Sequence, residues 1–170
     1  ARYCIWRGRS LMKTLTAKLC AEIDQHLKKY PDNQRQSAVL SALMTVQKAN
    51  NGSLTTELMD LVADYIGMPK IAVYEAASFY SMFELEPVGK NKICVCTNIS
   101  CMLRGSDEIV SYLKEKLKID VGETTKDGKF TLRAVECLAA CGGAPMMQIG
   151  DTYYEDLTPV KIDKILARLE

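Results

Sequence analysis

Seven cysteines stand in a chain of 170 residues, and most of them fall in two short stretches. The first reads Lys92-Ile-Cys-Val-Cys-Thr-Asn-Ile-Ser-Cys101 and the second Cys137-Leu-Ala-Ala-Cys141. Cys96 and Cys101 make a C-x4-C pair, and Cys137 and Cys141 a C-x3-C pair. Each pair falls where a strand pattern gives way to a loop. If those strands are neighbours, four thiolates converge. All four must lose their protons to bind a metal, so binding and folding of this part are coupled.

The spacing orders the metal chemistries without closing the choice. Structural zinc favours C-x2-C knuckles, whose tight turn suits one tetrahedral ion. Wider loops suit a two-iron rhomb with two sulfur ligands on each iron. Gly142-Gly143-Ala144-Pro145 follows the second pair, and a flexible backbone there can bring N–H groups close to sulfur. Such hydrogen bonds tune the potential of an iron–sulfur cluster. An iron–sulfur cluster is therefore favoured, with zinc and plain thiols or disulfides left open. A thioredoxin-type dithiol needs C-x-x-C, and the chain has none. Cys94 shares a strand face with Cys96 and reads as a small core residue beside the site. Cys4 and Cys20 have no partner motif.

No catalytic set can be assembled. The single histidine, His26, sits near the end of a predicted helix, where a positive charge is tolerated and a surface position is expected. Neither G-x-G-x-x-G nor G-x-x-x-x-G-K-[ST] occurs, so the chain has no nucleotide fingerprint of its own. A redox centre without a substrate site is most simply an electron carrier that works against a partner.

The composition is that of a globular protein, with 48% hydrophobic and 25% charged residues. No apolar run is long enough to span a membrane. A net charge of +1 gives no general argument for nucleic acid. Residues 1–13 carry Arg2, Arg7, Arg9 and Lys13 without an acid. They make a poor secretory signal and are expected to form a disordered basic extension, with Met12 as the working start. An odd cysteine count without such a signal suits a reducing compartment.

Residues 14–86 read as a small helical bundle. Leu15, Leu19, Ile23 and Leu27 recur at i+4 up to the turn Tyr30–Asn33. Ala38, Val39, Ala42, Leu43 and Val46 give a second face, stopped by Asn50-Asn51-Gly52. Thr55 or Thr56 caps a third helix bearing Leu58, Leu61, Val62 and Ile66, with Gly67 at its end. Pro69 opens a fourth, Lys70 to about Phe83, with Val73, Ala76, Ala77 and Tyr80 inward. The boundary is expected near Glu86–Lys90. From 87 to 170 the order is β-α-β-β-α, a thioredoxin-like plan. It comprises a strand at 92–96, a helix capped by Ser106 with Ile109, Leu113 and Leu117 inward, and a strand at Phe130–Ala134. A hairpin at 146–154 follows, and then a helix from Pro159 bearing Ile162, Ile165, Leu166 and Leu169. The fold class is α+β.

The third and fourth helices have helix-turn-helix spacing. A DNA reader needs basic or amide side chains on the second helix. After Lys70 this one offers Ile, Ala, Val, Tyr, Glu, Ala, Ala, Ser, Phe and Tyr. An iron–sulfur or zinc regulatory DNA-binding module is thus the least favoured alternative, and no nucleic acid is expected as partner.

The run ELMDLVADYIGMPKIAVYEAASFYSMFELEPVGKNKICVCTNISCMLRG, the segment GETTKDGKFTLRAVECLAACGGAPMMQIGDTYYEDLTP and the four-cysteine pattern resemble one family. It is the thioredoxin-like [2Fe-2S] subunit of NADH-quinone oxidoreductase, respiratory complex I. The likeness runs over about residues 14–170. It implies that Cys96, Cys101, Cys137 and Cys141 ligate one [2Fe-2S] cluster in an electron-transfer subunit of the NADH-oxidising module. It also implies a flavoprotein partner carrying FMN, a [4Fe-4S] cluster and the NADH site, and other peripheral-arm subunits. The chain would sit peripherally on the cytoplasmic side of a bacterial inner membrane, or on the matrix side in a mitochondrion. Equivalent diaphorase subunits occur in NAD-linked hydrogenases and formate dehydrogenases.

Overall fold

A computed structural model describes residues 14–169. The basic extension, and Cys4 with it, lies outside the described residues. The chain divides into two compact units, with the break between Pro87 and Val88.

The first unit is helical: α1 Ala17–Leu27, α2 Val39–Ala49, α3 Thr56–Ile66 and α4 Lys70–Phe79. Thr16 and Thr55 cap α1 and α3, each hydroxyl accepting from a backbone N–H three residues on. Gly67 ends α3 at φ 81°, a left-handed position that glycine takes without steric cost. The expected apolar faces meet in one core of Ile23, Leu27, Ala42, Leu43, Val46, Leu58, Val62, Ile66 and Val73. Tyr65 ties α3 to α1 by donating to Asp24 Oδ1 at 2.9 Å. That bond pushes the phenol up to about 12.

Two expectations fail here. The fourth helix stops at Phe79, because Tyr80 turns to an extended backbone at ψ 120°. Tyr80 is consequently exposed rather than inward, and Phe83 from the following segment fills the core instead. The turn after α1 also tightens into a 3-10 helix, Asp32–Ala38.

The second unit runs β1 Asn91–Cys96, α5 Ile99–Leu103, α6 Ser106–Leu117, β2 Phe130–Val135, β3 Met147–Ile149, β4 Thr152–Tyr154 and α7 Pro159–Leu169. The sheet order is β2-β1-β3-β4, with β1 parallel to β2 and the other pairs antiparallel. A parallel pair needs a crossover, and α5 and α6 supply it. The expected β-α-β-β-α order thus holds, with a short extra helix in the crossover and the hairpin arms as separate strands.

Ile93, Val95, Leu132, Met147 and Ile149 face Ile109 and Leu113 of α6 and Ile162, Ile165 and Leu166 of α7. The other face of β1 carries Cys94, level with Arg133 and Gln148. Cys94 is therefore half-buried on the far side of the sheet from this core, not within it. Ser106 does not cap α6 either: Gly105 holds the cap position at φ 89°, and Ser106 is the buried first helical residue. Gly89 packs so closely on β2 that a Cβ would lie 2.9 Å from the Phe130 carbonyl carbon.

Asp163 on α7 braces α6, accepting from Tyr112 Oη at 2.7 Å and pairing with Lys116 at 2.9 Å. Lys116 and Tyr112 hold its carboxyl below the ordinary range. The folded chain therefore binds that proton less tightly than the unfolded one. Its stabilisation is present above the unfolded pKa and is lost as pH falls through the depressed folded value. Urea midpoints should fall as pH drops below about 4, and Asp163→Asn should flatten that dependence. Superimposable pH profiles for the two proteins would contradict the brace.

Candidate metal centre

Parallel pairing puts the carboxyl ends of β1 and β2 side by side, with Cys96 opposite Val135. Thr97 fixes the level: its N–H donates to Val135 O at 2.9 Å and its hydroxyl to the same oxygen at 3.1 Å. Both cysteine loops leave the sheet from this point. On one side Asn98 accepts from Ile99 N–H at 2.8 Å and caps the five-residue α5, which buries Cys101. On the other, the chain passes Cys137 and turns back through Ala139 at φ 58°, so that Cys141 opens a 3-10 turn, Cys141–Gly143.

The second loop is pinned from below. Gly143 O accepts from Asp156 N–H at 2.7 Å and Pro145 O from Leu157 N–H at 2.9 Å. Glu155 lies so close that a Cβ on Gly143 would stand 2.5 Å from the glutamate Cβ. Glycine is the residue that fits.

The sulfurs fall into two kinds. Cys96 and Cys101 are 4% and 1% exposed, whereas Cys137 and Cys141 are exposed to solvent. Cys96 Sγ donates to Glu136 O at 3.9 Å, and the thiols of Cys101 and Cys137 lie beside it. Cys141 is close enough for its charge to act on Cys101. Burial works to raise the Cys96 thiol. The N–H groups of Asn98 and Leu138 and the thiols of Cys101 and Cys137 outweigh it and hold Cys96 below the usual thiol range. Burial and then the Cys96 sulfur push Cys101 up, against the Met146 N–H directed at it. The Ala139 N–H donates to Cys137 Sγ at 3.3 Å.

The expected site residues are thus brought together, from two loops at one end of the sheet. Among the described residues, no three His, Cys, Asp or Glu side chains are gathered in the manner of a single-ion site. Cys96 has Cys101 and Cys137 beside it and Cys101 feels Cys141, and main-chain N–H groups are aimed at three of the four sulfurs. A sulfur-ligated, negatively charged cluster suits this donor set: the soft ligands are thiols, and the nearby dipoles present their positive ends. Cys20 lies half-buried on α1 in the helical unit, and His26 is half-buried near the end of the same helix, its Nδ1 3.4 Å from Lys29 Nζ.

Sequence reasoning missed α5 and looked for backbone donors in Gly142-Gly143-Ala144-Pro145, whereas those at the sulfurs come from Asn98, Leu138, Ala139 and Met146. Asn98 before Ile-Ser-Cys-Met-Leu is a readable helix cap. The N–H groups of Leu138, Ala139 and Met146 leave no such trace, because any residue but proline donates.

A mixed four-stranded sheet backed by two long helices, with two cysteine loops at one end, defines a thioredoxin-like ferredoxin. The chain belongs to the thioredoxin-like [2Fe-2S] ferredoxin family, whose model matches residues 23–170. It is 50% identical to the E subunit of NADH-quinone oxidoreductase from Rickettsia bellii over 143 residues, covering 84% of this chain and 86% of that protein. It is 45% identical to the mitochondrial NADH dehydrogenase [ubiquinone] flavoprotein 2 of Dictyostelium discoideum over 155 residues, covering 91% of this chain and 63% of that one. A solved NAD+-reducing [NiFe]-hydrogenase shares the fold at TM-score 0.68 and 19% identity. The match covers 80% of this chain and 24% of that one.

Ala139 is an alanine in a left-handed conformation, which costs about 1–2 kcal/mol. Ala139→Gly should stabilise the metal-free chain by about 1 kcal/mol in urea unfolding. A loss of stability would mean that the alanine methyl makes a compensating contact.

Proposed function

We propose that the chain is the electron-transfer subunit of the NADH-oxidising module of an NADH-quinone oxidoreductase, holding one [2Fe-2S] cluster on Cys96, Cys101, Cys137 and Cys141. The observation that carries the ligand set is the meeting of two thiol pairs at the carboxyl ends of two adjacent parallel strands. The 50% identity to the Rickettsia bellii protein supports the parent complex. Similarity to the hydrogenase, at 19% identity, concerns the fold alone.

When bound, the cluster supplies a one-electron carrier. The chain's own residues do the rest. Cys96 and Cys101 form the buried end of the site, where α5 and the 143–146 loop exclude water. Cys137 and Cys141 form its solvent-facing end. The N–H groups of Asn98, Leu138, Ala139 and Met146 place positive dipoles against the sulfurs and favour the more reduced, more negative state.

The partner is a flavoprotein subunit that holds FMN and NADH and carries a [4Fe-4S] cluster, with other peripheral-arm subunits around it. The chain takes part in NADH oxidation only within that assembly. Among the described residues no helix is long and apolar enough to cross a membrane. A peripheral position, on the cytoplasmic face of a bacterial inner membrane or the matrix face of a mitochondrial one, completes the reading.

Anaerobically prepared protein should hold about two irons and two sulfides per chain and give an EPR signal on reduction. Serine at Cys96, Cys101, Cys137 or Cys141 should perturb the visible and EPR spectra, while Cys20→Ser and Cys94→Ser leave them unchanged. Stoichiometric zinc without sulfide would overturn the cluster, and an unaltered spectrum in one of the first four variants would remove that ligand.

A further inference from the structure

We propose that Cys137 and Cys141 are the capture ligands through which the chain takes its cluster from a thiol-ligated [2Fe-2S] donor, and that Cys96 and Cys101 close on it second. This rests on the four-cysteine ligand set proposed above. The outer sulfurs are exposed and the inner ones are buried. A cluster still carried on other thiolates is bulky, and it reaches exposed sulfur first.

The loop between the outer cysteines also covers the inner pair. Leu138 and Ala140, both within CLAAC, pack against the buried group of Cys96, Cys101, Ala144 and Met146. Lifting this segment to grasp a donor therefore uncovers the sulfurs that must bind next. The two sides differ in how firmly they are held. Cys96 N–H is bonded to Met146 O at 3.1 Å where β1 and β3 meet at the end of the sheet, and Cys101 sits in capped α5. Residues 136–140 lie outside the helices and strands, between the end of β2 and the short turn at Cys141. The inner pair is a fixed seat; the cover that lifts is residues 136–140 with Cys137, while the exposed Cys141 begins the turn pinned through Gly143.

In the exchange, Cys137 and Cys141 each displace one donor thiolate from iron and pass their protons to the departing sulfurs. Cys96 and Cys101 then displace the remaining two in the same way. Four thiolates leave as four arrive, no electron moves, and iron and sulfide are retained.

The test uses the full chain, freed of metal anaerobically, with glutathione-ligated [2Fe-2S] as the probe and visible circular dichroism to follow capture. Cys137→Ser and Cys141→Ser should each slow the second-order phase at least about tenfold. Cys101→Ser should capture and then lose the signal. In the metal-free chain, Leu138→Ala should raise iodoacetamide labelling of Cys96 several-fold by mass spectrometry, without a matching rise at Cys137. Equal slowing of the first phase by Cys101→Ser and Cys137→Ser would overturn the order, as would unchanged Cys96 labelling in Leu138→Ala. Failure of the unsubstituted chain to take up any cluster would instead overturn the ligand set, and this inference with it.

Discussion

The parallel pairing of β1 with β2 is the constraint on which the rest of the second unit depends. Antiparallel neighbours would send their carboxyl ends to opposite edges of the sheet and hold the two cysteine loops apart. Parallel neighbours finish together, and the register that sets Cys96 against Val135 brings Cys137 within two residues of the same level. A parallel pair cannot be joined by a tight turn. The chain spends residues 97–129 on the crossover, and that detour places α6 against the sheet and carries Cys101 over the strand end in α5. Topology, core and site are one arrangement.

The core enforces this register. Ile93, Val95, Phe130 and Leu132 are buried on one face of the pair. A one-residue slip would turn them to the other face and exchange them with Lys92, Cys94, Thr131 and Arg133. Thr131 adds a polar lock, accepting the Gly89 N–H and meeting the Thr124 hydroxyl at 2.7 Å. The positions of Cys96 and Cys137 are set by hydrophobic burial one to seven residues upstream of them.

Much of this was legible in the sequence. Four-residue periodicity in α1 and the Thr55 and Gly67 boundaries of α3 are local signals, and local hydrogen bonds honour them. The cysteine pairs were legible because thiols at loop spacing have few other uses in such numbers. What escaped was decided by tertiary packing. Tyr80 has the right spacing for an inward face, but the helix ends one residue before it and Phe83 takes the space. Ser106 looks like a cap, yet Gly105 adopts the left-handed turn that α5 and α6 need to meet, and the serine is drawn into the helix. Cys94 reads as a small core residue, but it alternates with Ile93 and Val95, and the core built with α6 and α7 lies on their face of the strand.

The sulfur environment at this site is written almost wholly in main chain. Among the described residues, the donors directed at the thiols come from the backbones of Asn98, Leu138, Ala139 and Met146 and not from basic side chains. Backbone donors persist when side chains change, provided that the chain keeps its path and no proline intrudes. Residues such as Gly143, which permit that path, then matter more than the chemistry of neighbouring side chains. A centre built this way can keep its electrostatic setting through long sequence drift, because its surface can be rewritten for one partner or another without touching the groups that face the sulfurs.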